Sequence, residues 1–283
     1  FLSVEFYTPT PSPLAKSGNT GNVTVSAAAN VAGPIVVYGG NVIVSAAVTT
    51  TGSADNTVTL IATDSIKVAG NITTSGAAVL ISSNSDGSNG GGITTNAITI
   101  STSGGNITLG GGTDGTGYAE GSASSIQDAL YRGIWMSATT LNAAGGNITI
   151  RGKGWQGATY GTSTGYFSIG VDIVSGNVIS TTGSGSVNIV GVGGINYSPA
   201  NQSVGINLYT NGVANAIYTV NGNVALTGTA GTGTARTYAG INNDGGVTSI
   251  YSTTGNVTLT GNGASSDYGV NVVSGGTLYV GYK

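Results

Sequence analysis

Side chains able to do chemistry are scarce in this chain. Its 283 residues contain no His and no Cys, which excludes a thiol nucleophile, a disulfide, a Cys/His metal site and a His general base. Ten acids remain: Glu5, Asp55, Asp64, Asp86, Asp114, Glu120, Asp128, Asp172, Asp244 and Asp267. No two of them form a close pair in the sequence, and paired carboxylates are the minimum for glycoside hydrolysis. The chain is therefore not expected to be an enzyme, although coiling could still bring acids from distant segments onto one face. Asn84-Ser85-Asp86-Gly87-Ser88-Asn89 lacks the acidic ligands and terminal Glu of a calcium loop and reads as a polar turn. No cofactor and no metal is expected. One cluster stands out. Arg132, Trp135, Arg151, Lys153 and Trp155 combine both tryptophans with three basic side chains. Aromatic faces beside planar donors suit a sugar surface, and host or matrix glycans are the partners such a patch would serve. The other reading is an insertion packed on the body of the protein, since large aromatics are most often buried for area.

The elements that must carry these residues follow from composition. Charged residues are 6% of the chain and Gly occupies 51 positions, against typical values of ~25% and ~7%. Net charge is 7 − 10 = −3, and the basic residues are scattered, so nucleic acid is not an expected partner. No apolar run approaches the ~20 residues of a membrane helix, so membrane insertion is not expected. Surface helix formers are scarce, whereas Val, Ile and Thr favour strands and Gly, Asn and Ser favour turns. An all-β chain of short strands results.

One phrase recurs: Gly21-Asn22-Val23-Thr24-Val25, Gly40-Asn41-Val42-Ile43-Val44, Gly70-Asn71-Ile72-Thr73, Gly105-Asn106-Ile107-Thr108-Leu109 and Gly146-Asn147-Ile148-Thr149-Ile150. Gly176-Asn177, Gly222-Asn223 and Gly255-Asn256 open later copies. Each is a turn followed by an apolar-polar-apolar strand. A second phrase alternates with it in the C-terminal half: Ile169-Gly170-Val171-Asp172-Ile173, Val204-Gly205-Ile206-Asn207-Leu208, Ala239-Gly240-Ile241-Asn242 and Tyr268-Gly269-Val270-Asn271-Val272. A sandwich has no reason to reuse a phrase so often, but a solenoid presents the same environment once per coil. The expected fold is a right-handed parallel β-helix over residues 17–283, interrupted by an irregular insertion at about 110–135 that holds the one plausible helix, Ser125–Arg132. With three short strands per coil, about 20–25 residues per coil and on the order of 10–13 coils are expected. The recurring Asn admits two readings, stacked amide ladders or simple turn preference.

The phrase resembles the repeats of filamentous haemagglutinin-type bacterial exoproteins, which carry G-N-[VI]-T-[LVI] strands in Gly/Ser/Thr/Asn-rich surroundings. The resemblance implies a secreted or cell-surface β-solenoid stalk with a role in adhesion. The chain opens at Phe1 without an initiator Met and reads as a mature product or a fragment.

The two ends are different in kind. Residues 1–16 form an arm in which Leu2, Val4 and Phe6 alternate with polar residues before Pro9, Pro11 and Pro13, a one-faced strand followed by a stiff extended linker. That strand either caps its own first coil or adds to a neighbouring subunit. Leu278 and Val280 lie in a last strand with no polar cap after it. Head-to-tail assembly with itself, through Leu2, Val4, Phe6, Leu278 and Val280, into a surface filament or biofilm matrix is the expected function. A carbohydrate-binding or carbohydrate-cleaving β-helix is the alternative.

Overall fold

The structure is a computed structural model, and it describes residues 2–3, 17–88, 90–123, 131–157, 167–196, 202–233, 237–263, 267–273 and 275–282. Within them the chain winds through three long sheets in which every paired strand runs parallel to its neighbours. The fold is a parallel β-helix. Sheet I stacks Leu2–Ser3, Val23–Val25, Val42–Val44, Ile66–Val68, Ile93–Asn96, Ile134–Ser137, Val171–Val174, Gln202–Tyr209, Thr237–Asp244 and Tyr268–Val272. Sheet II runs from Ala29–Val31 to Gly276–Tyr282, and sheet III from Ile35–Gly39 to Val257–Asn262. The expected helix at Ser125–Arg132 falls mostly on residues outside those described, and no helix occurs among the described ones.

The alternation read from the sequence sets which side chains point inward. One inward row of sheet I is Val23, Val42, Ile66, Ile93, Ile134, Val171, Ile206, Ile241 and Val270, joined partner to partner by the strand register. Sheet III supplies Val37, Leu60, Ile81, Leu109, Ile150, Ile189, Leu226 and Leu259 in the same way. Up to Ile241 and Leu226 these rows belong to one continuous core, with Leu259 packed against it, and each fully buried branched side chain contributes roughly 1.5–3 kcal/mol. A β-helix of this composition needs neither crosslinks nor many charges to hold together.

Glycine is required where sheet III turns into sheet I. Gly152, Gly191, Gly228 and Gly261 are stacked partners, and a Cβ on Gly228 would lie 1.9 Å from the Gly240 carbonyl oxygen. The glycine in the middle of the second phrase marks this same corner. At the corner between sheets II and III, inward hydroxyls satisfy turn carbonyls: Thr74 donates to Ala77 at 2.5 Å, Thr181 to Gly146 at 2.7 Å and Thr219 to Gly222 at 2.5 Å. The Asn after the turn glycine stacks coil on coil, as the Asn41 amide does in donating to Asn22 Oδ1 at 3.0 Å. After the turn glycine, its side-chain oxygen accepts a backbone N–H of the next coil, as Asn106 does from Asn147 (2.8 Å), Asn147 from Ser186 (2.9 Å) and Asn223 from Asn256 (2.9 Å). Amides donate to one another on the outside of sheet I, described below.

The coils are longer and fewer than expected. Val23 pairs with Val42, 42 − 23 = 19 residues on; Ile93 with Ile134, 134 − 93 = 41 on; Ile241 with Val270, 270 − 241 = 29 on. Among the described residues the main path of sheet III carries eight strands, hence eight full coils, and a ninth contributes its first two strands. At ~4.8 Å per coil the column is about 40 Å tall. The extra length lies at one corner, between the end of sheet III and the start of sheet I, where residues 84–92, 112–133, 154–170 and 193–201 connect successive coils. The longest of these, the expected insertion, contains a short strand, Ala119–Glu120, paired with Gly152–Lys153. Insertions of a repeat protein collect on one face, often the binding face.

Candidate functional site

The outer face of sheet I changes character along the rod. One outward row reads Thr24, Ile43, Lys67, Thr94, Trp135, Asp172, Asn207, Asn242 and Asn271, again joined by register. From Asp172 onward it is a ladder. The Asn207 amide donates to Asp172 Oδ1 at 2.9 Å, Asn242 to Asn207 at 3.0 Å and Asn271 to Asn242 at 2.8 Å. Asp172 is only 2% exposed, and an ionised carboxylate at that depth needs partners. Its other oxygen takes the Arg132 Nε–H at 2.6 Å, so both oxygens are engaged and the charge is paired.

A cavity of about 360 Å³ opens over this ladder. Its lining includes residues that precede the corner glycines (Phe167, Ile169, Gln202) and residues that follow them (Asp172, Tyr209, Asp244). The Gln202 amide donates to Asp244 Oδ2 at 3.0 Å, although the two lie at opposite ends of their strands, Gln202–Tyr209 and Thr237–Asp244. Sheet I is therefore bent at Gly205 and Gly240, and the cavity sits in the angle. Ile169, Val204 and Ala239 form a small second core there with Phe167 packed on it. The Arg132 guanidinium lies 4.9 Å over the Phe167 ring, so its planar fork is held flat by an aromatic face and an ion pair together. Trp135, half-buried, and Tyr209, partly exposed, also line the cavity.

The five residues grouped by the sequence divide between faces. Arg132 and Trp135 share the groove on sheet I, whereas Arg151, Lys153 and Trp155 follow sheet III and meet the insertion. The Arg151 guanidinium lies 4.8 Å over Tyr118, Lys153 Nζ lies 3.4 Å from Glu120, and the Trp155 ring is 6.5 Å from that of Tyr131. Those contacts are the packing of an insertion on the rod. Sequence reasoning did not place Asp172, Gln202, Asn207, Tyr209 and Asp244 in a site. The available signal was Asp172 itself, the one acid at a position where three later copies of the second phrase carry Asn.

Elsewhere, Asp64 and Asp86 line a second cavity with Trp155. Burial raises the Asp64 carboxyl above its usual range, hydrogen bonds from Ser65 and Asn41 work against that, and the charge of Asp86 adds to it. Asp114, fully exposed in a turn, is held lower by hydrogen bonds from Thr116. No group of three or more acidic side chains that could hold a metal ion occurs among the described residues.

The two ends differ. In the first coil Val23 and Val37 are 0% exposed, while in the last Val270, Val272 and Val280 are 41, 47 and 47% exposed. Leu2–Ser3 adds to sheet I as a parallel strand on Val23–Thr24. Val4 and Phe6 lie outside the described residues. Leu278 is half-buried against the core, and Val280 beside it is open. Comparison with known proteins finds no matching family model, no matching curated protein and no matching solved structure.

Proposed function

We propose that this chain is a structural subunit of an extracellular filament or stalk, built by stacking one β-helix on the next. The observation that carries the reading is the open last coil. Val270, Val272 and Val280 continue the inward rows yet lie 41–47% exposed, and the last strands of the three sheets, Tyr268–Val272, Gly276–Tyr282 and Val257–Asn262, each have one neighbour only among the described residues. Unpaired parallel edges of this kind template further pairing. The occupant is the N-terminal strand of a second copy. Leu2–Ser3 already runs parallel to sheet I at the opposite end, so its outer edge meets Tyr268–Val272 of a neighbour in the direction the sheet requires, and sheet I continues from subunit to subunit. The extracellular setting rests on composition, with no Cys and 6% charge, and on the resemblance of the repeat phrase to adhesin exoproteins.

Sedimentation velocity over a concentration series, with electron microscopy of the concentrated sample, tests this. The native chain is expected to form rods that lengthen with concentration. Val270→Asp with Val280→Asp, and separately Leu2→Asp with Val4→Asp and Phe6→Asp, are expected to leave folded monomers. A native chain that stays monomeric at every concentration, or rods that form as readily from both variants, overturns the reading. Cleavage of carbohydrate is the less supported alternative, because both oxygens of Asp172 are committed to Arg132 and Asn207.

A further inference from the structure

We infer that the bend in sheet I is a binding site for a short neutral saccharide, independent of how subunits assemble. Three features of the cavity converge on that ligand class. The first is size. About 360 Å³ is at the lower end of small-molecule pockets, roughly 300–1,000 Å³, which suits a short saccharide.

The second is the mixture of donors, acceptors and apolar faces. Arg132 spends its Nε–H on Asp172, and the rest of its fork has no hydrogen-bond acceptor among the described residues. The Tyr209 hydroxyl and the Trp135 indole N–H are further donors. Asp244 accepts from Gln202 through Oδ2, leaving Oδ1 as an acceptor, and the side-chain oxygen Oε1 of Gln202 is another. Sugar hydroxyls both donate and accept, and the C–H faces of a sugar ring lie on aromatic rings such as Trp135 and Tyr209. An apolar ligand would strand the polar groups, at a cost each.

The third is charge. Of the three ionised side chains in the cavity, Arg132 is neutralised by Asp172, and Asp244 is left over. The site therefore carries about one net negative charge and disfavours uronic or sulfated sugars. The polar groups are also held before any ligand arrives: Arg132 by its ion pair and the Phe167 ring, Asp244 by Gln202, and the floor by the amide ladder. Preorganisation of this kind reduces the cost of binding.

The chain has two tryptophans, so in a Trp155→Phe background the indole emission reports on Trp135 alone. That full-length protein would be titrated with neutral disaccharides (maltose, cellobiose, lactose), with digalacturonic acid as the anionic counterpart, and the affinity checked by calorimetry. The expected result is a saturable emission change with at least one neutral disaccharide and none with digalacturonic acid. Asp244→Asn and Tyr209→Ala should each weaken binding roughly tenfold or more, while Arg151→Gln, on the other face, leaves it unchanged. No saturable response to any neutral disaccharide, a preference for the acidic one, or binding that survives Asp244→Asn and Tyr209→Ala but is lost in Arg151→Gln overturns the inference. Circular dichroism of each variant shows that a lost response comes from a folded protein.

Discussion

The first and last coils use the same grammar and reach opposite outcomes. At the N-terminal end a 19-residue step carries Val23 onto Val42, Leu2–Ser3 lies across the opening strand, and Val23 and Val37 are fully buried. At the C-terminal end the same inward rows finish on Val270, Val272 and Val280, open to solvent by 41–47%. One coil below, the rows themselves change: Asn243 takes the place held by Met136, Ile173 and Leu208 in successive coils, and Thr248 follows Asn215. Neither the Asn243 amide nor the Thr248 hydroxyl has a hydrogen-bond partner among the described residues. The column is therefore tight in the middle, where each inward side chain has a coil above and below it, and loose at the C-terminal end, where the rows turn polar and the last coil has no upper neighbour among the described residues. In a solenoid, stability is a sum of nearest-neighbour terms, and the last coil has half of them.

That difference can be broken by truncating one inward row at two heights. Ile134→Ala removes a side chain packed between Ile93 and Val171 and is expected to cost about 2–5 kcal/mol in urea unfolding. Val270→Ala, in the same row at the open end, is expected to cost under ~1 kcal/mol in dilute protein, because little burial is lost. A Val270→Ala penalty as large as that of Ile134→Ala would mean that the last coil is covered in solution. The corner glycines give a second version. Gly228→Ala places a methyl 1.9 Å from the Gly240 carbonyl oxygen between fixed coils, and Gly261→Ala does the same against Gly269 in the last turn. Overpacking of this kind costs about 1–3 kcal/mol or more. The Gly261 variant is expected to be the cheaper one, since no further strand among the described residues holds Tyr268–Val272. Equal penalties would show the last coil to be as rigid as the middle.

The opposite sign is expected at Asn243. Asn243→Leu extends the aliphatic row and removes a buried amide that has no partner. The urea midpoint should rise, by about 1–3 kcal/mol of stability. A loss of stability instead would mean that the amide is satisfied, and the looseness assigned to this end would be withdrawn.

Much of the column was readable from residues alone, because its repeating parts are local. Each turn glycine, each alternating strand and each corner glycine of the second phrase sits within five residues of the feature it predicts. The number of coils was not readable, because the connections at the corner between sheets III and I have no repeating length. Ile93 reaches its partner only after 41 residues. The groove is less local still. Arg132, Asp172, Asn207 and Asp244 come from four successive coils, and nothing in their spacing announces that a bend at Gly205 and Gly240 closes them into one cavity. Proximity in sequence grouped Arg132 with Arg151 and Trp155, which the fold sends to another face. The informative mark was substitution within a column, Asp for Asn at 172 and Asn for an aliphatic at 243. It becomes visible only once the phrases are aligned coil on coil.

The smallest expected effect concerns Asp64, near the closed end, where a charge is the imperfection. Its carboxyl is raised chiefly by burial, against hydrogen bonds from Ser65 and Asn41, with Asp86 adding like-charge repulsion. A carboxyl raised in the folded state binds its proton more tightly there than in the unfolded chain. The slope of stability with pH is then negative between the unfolded value near 3.8 and the raised folded one. The penalty is absent below that window and fully present above it. Asp64→Asn, which keeps an acceptor for the Ser65 hydroxyl at its 2.9 Å position, is expected to be slightly more stable than the native chain at pH 7. The gain should shrink to nothing as the pH falls below about 4. A gain that does not change with pH would come from the amide itself. A loss at pH 7 would mean that the carboxylate is stabilised where it sits, leaving the closed end without the one weakness assigned to it.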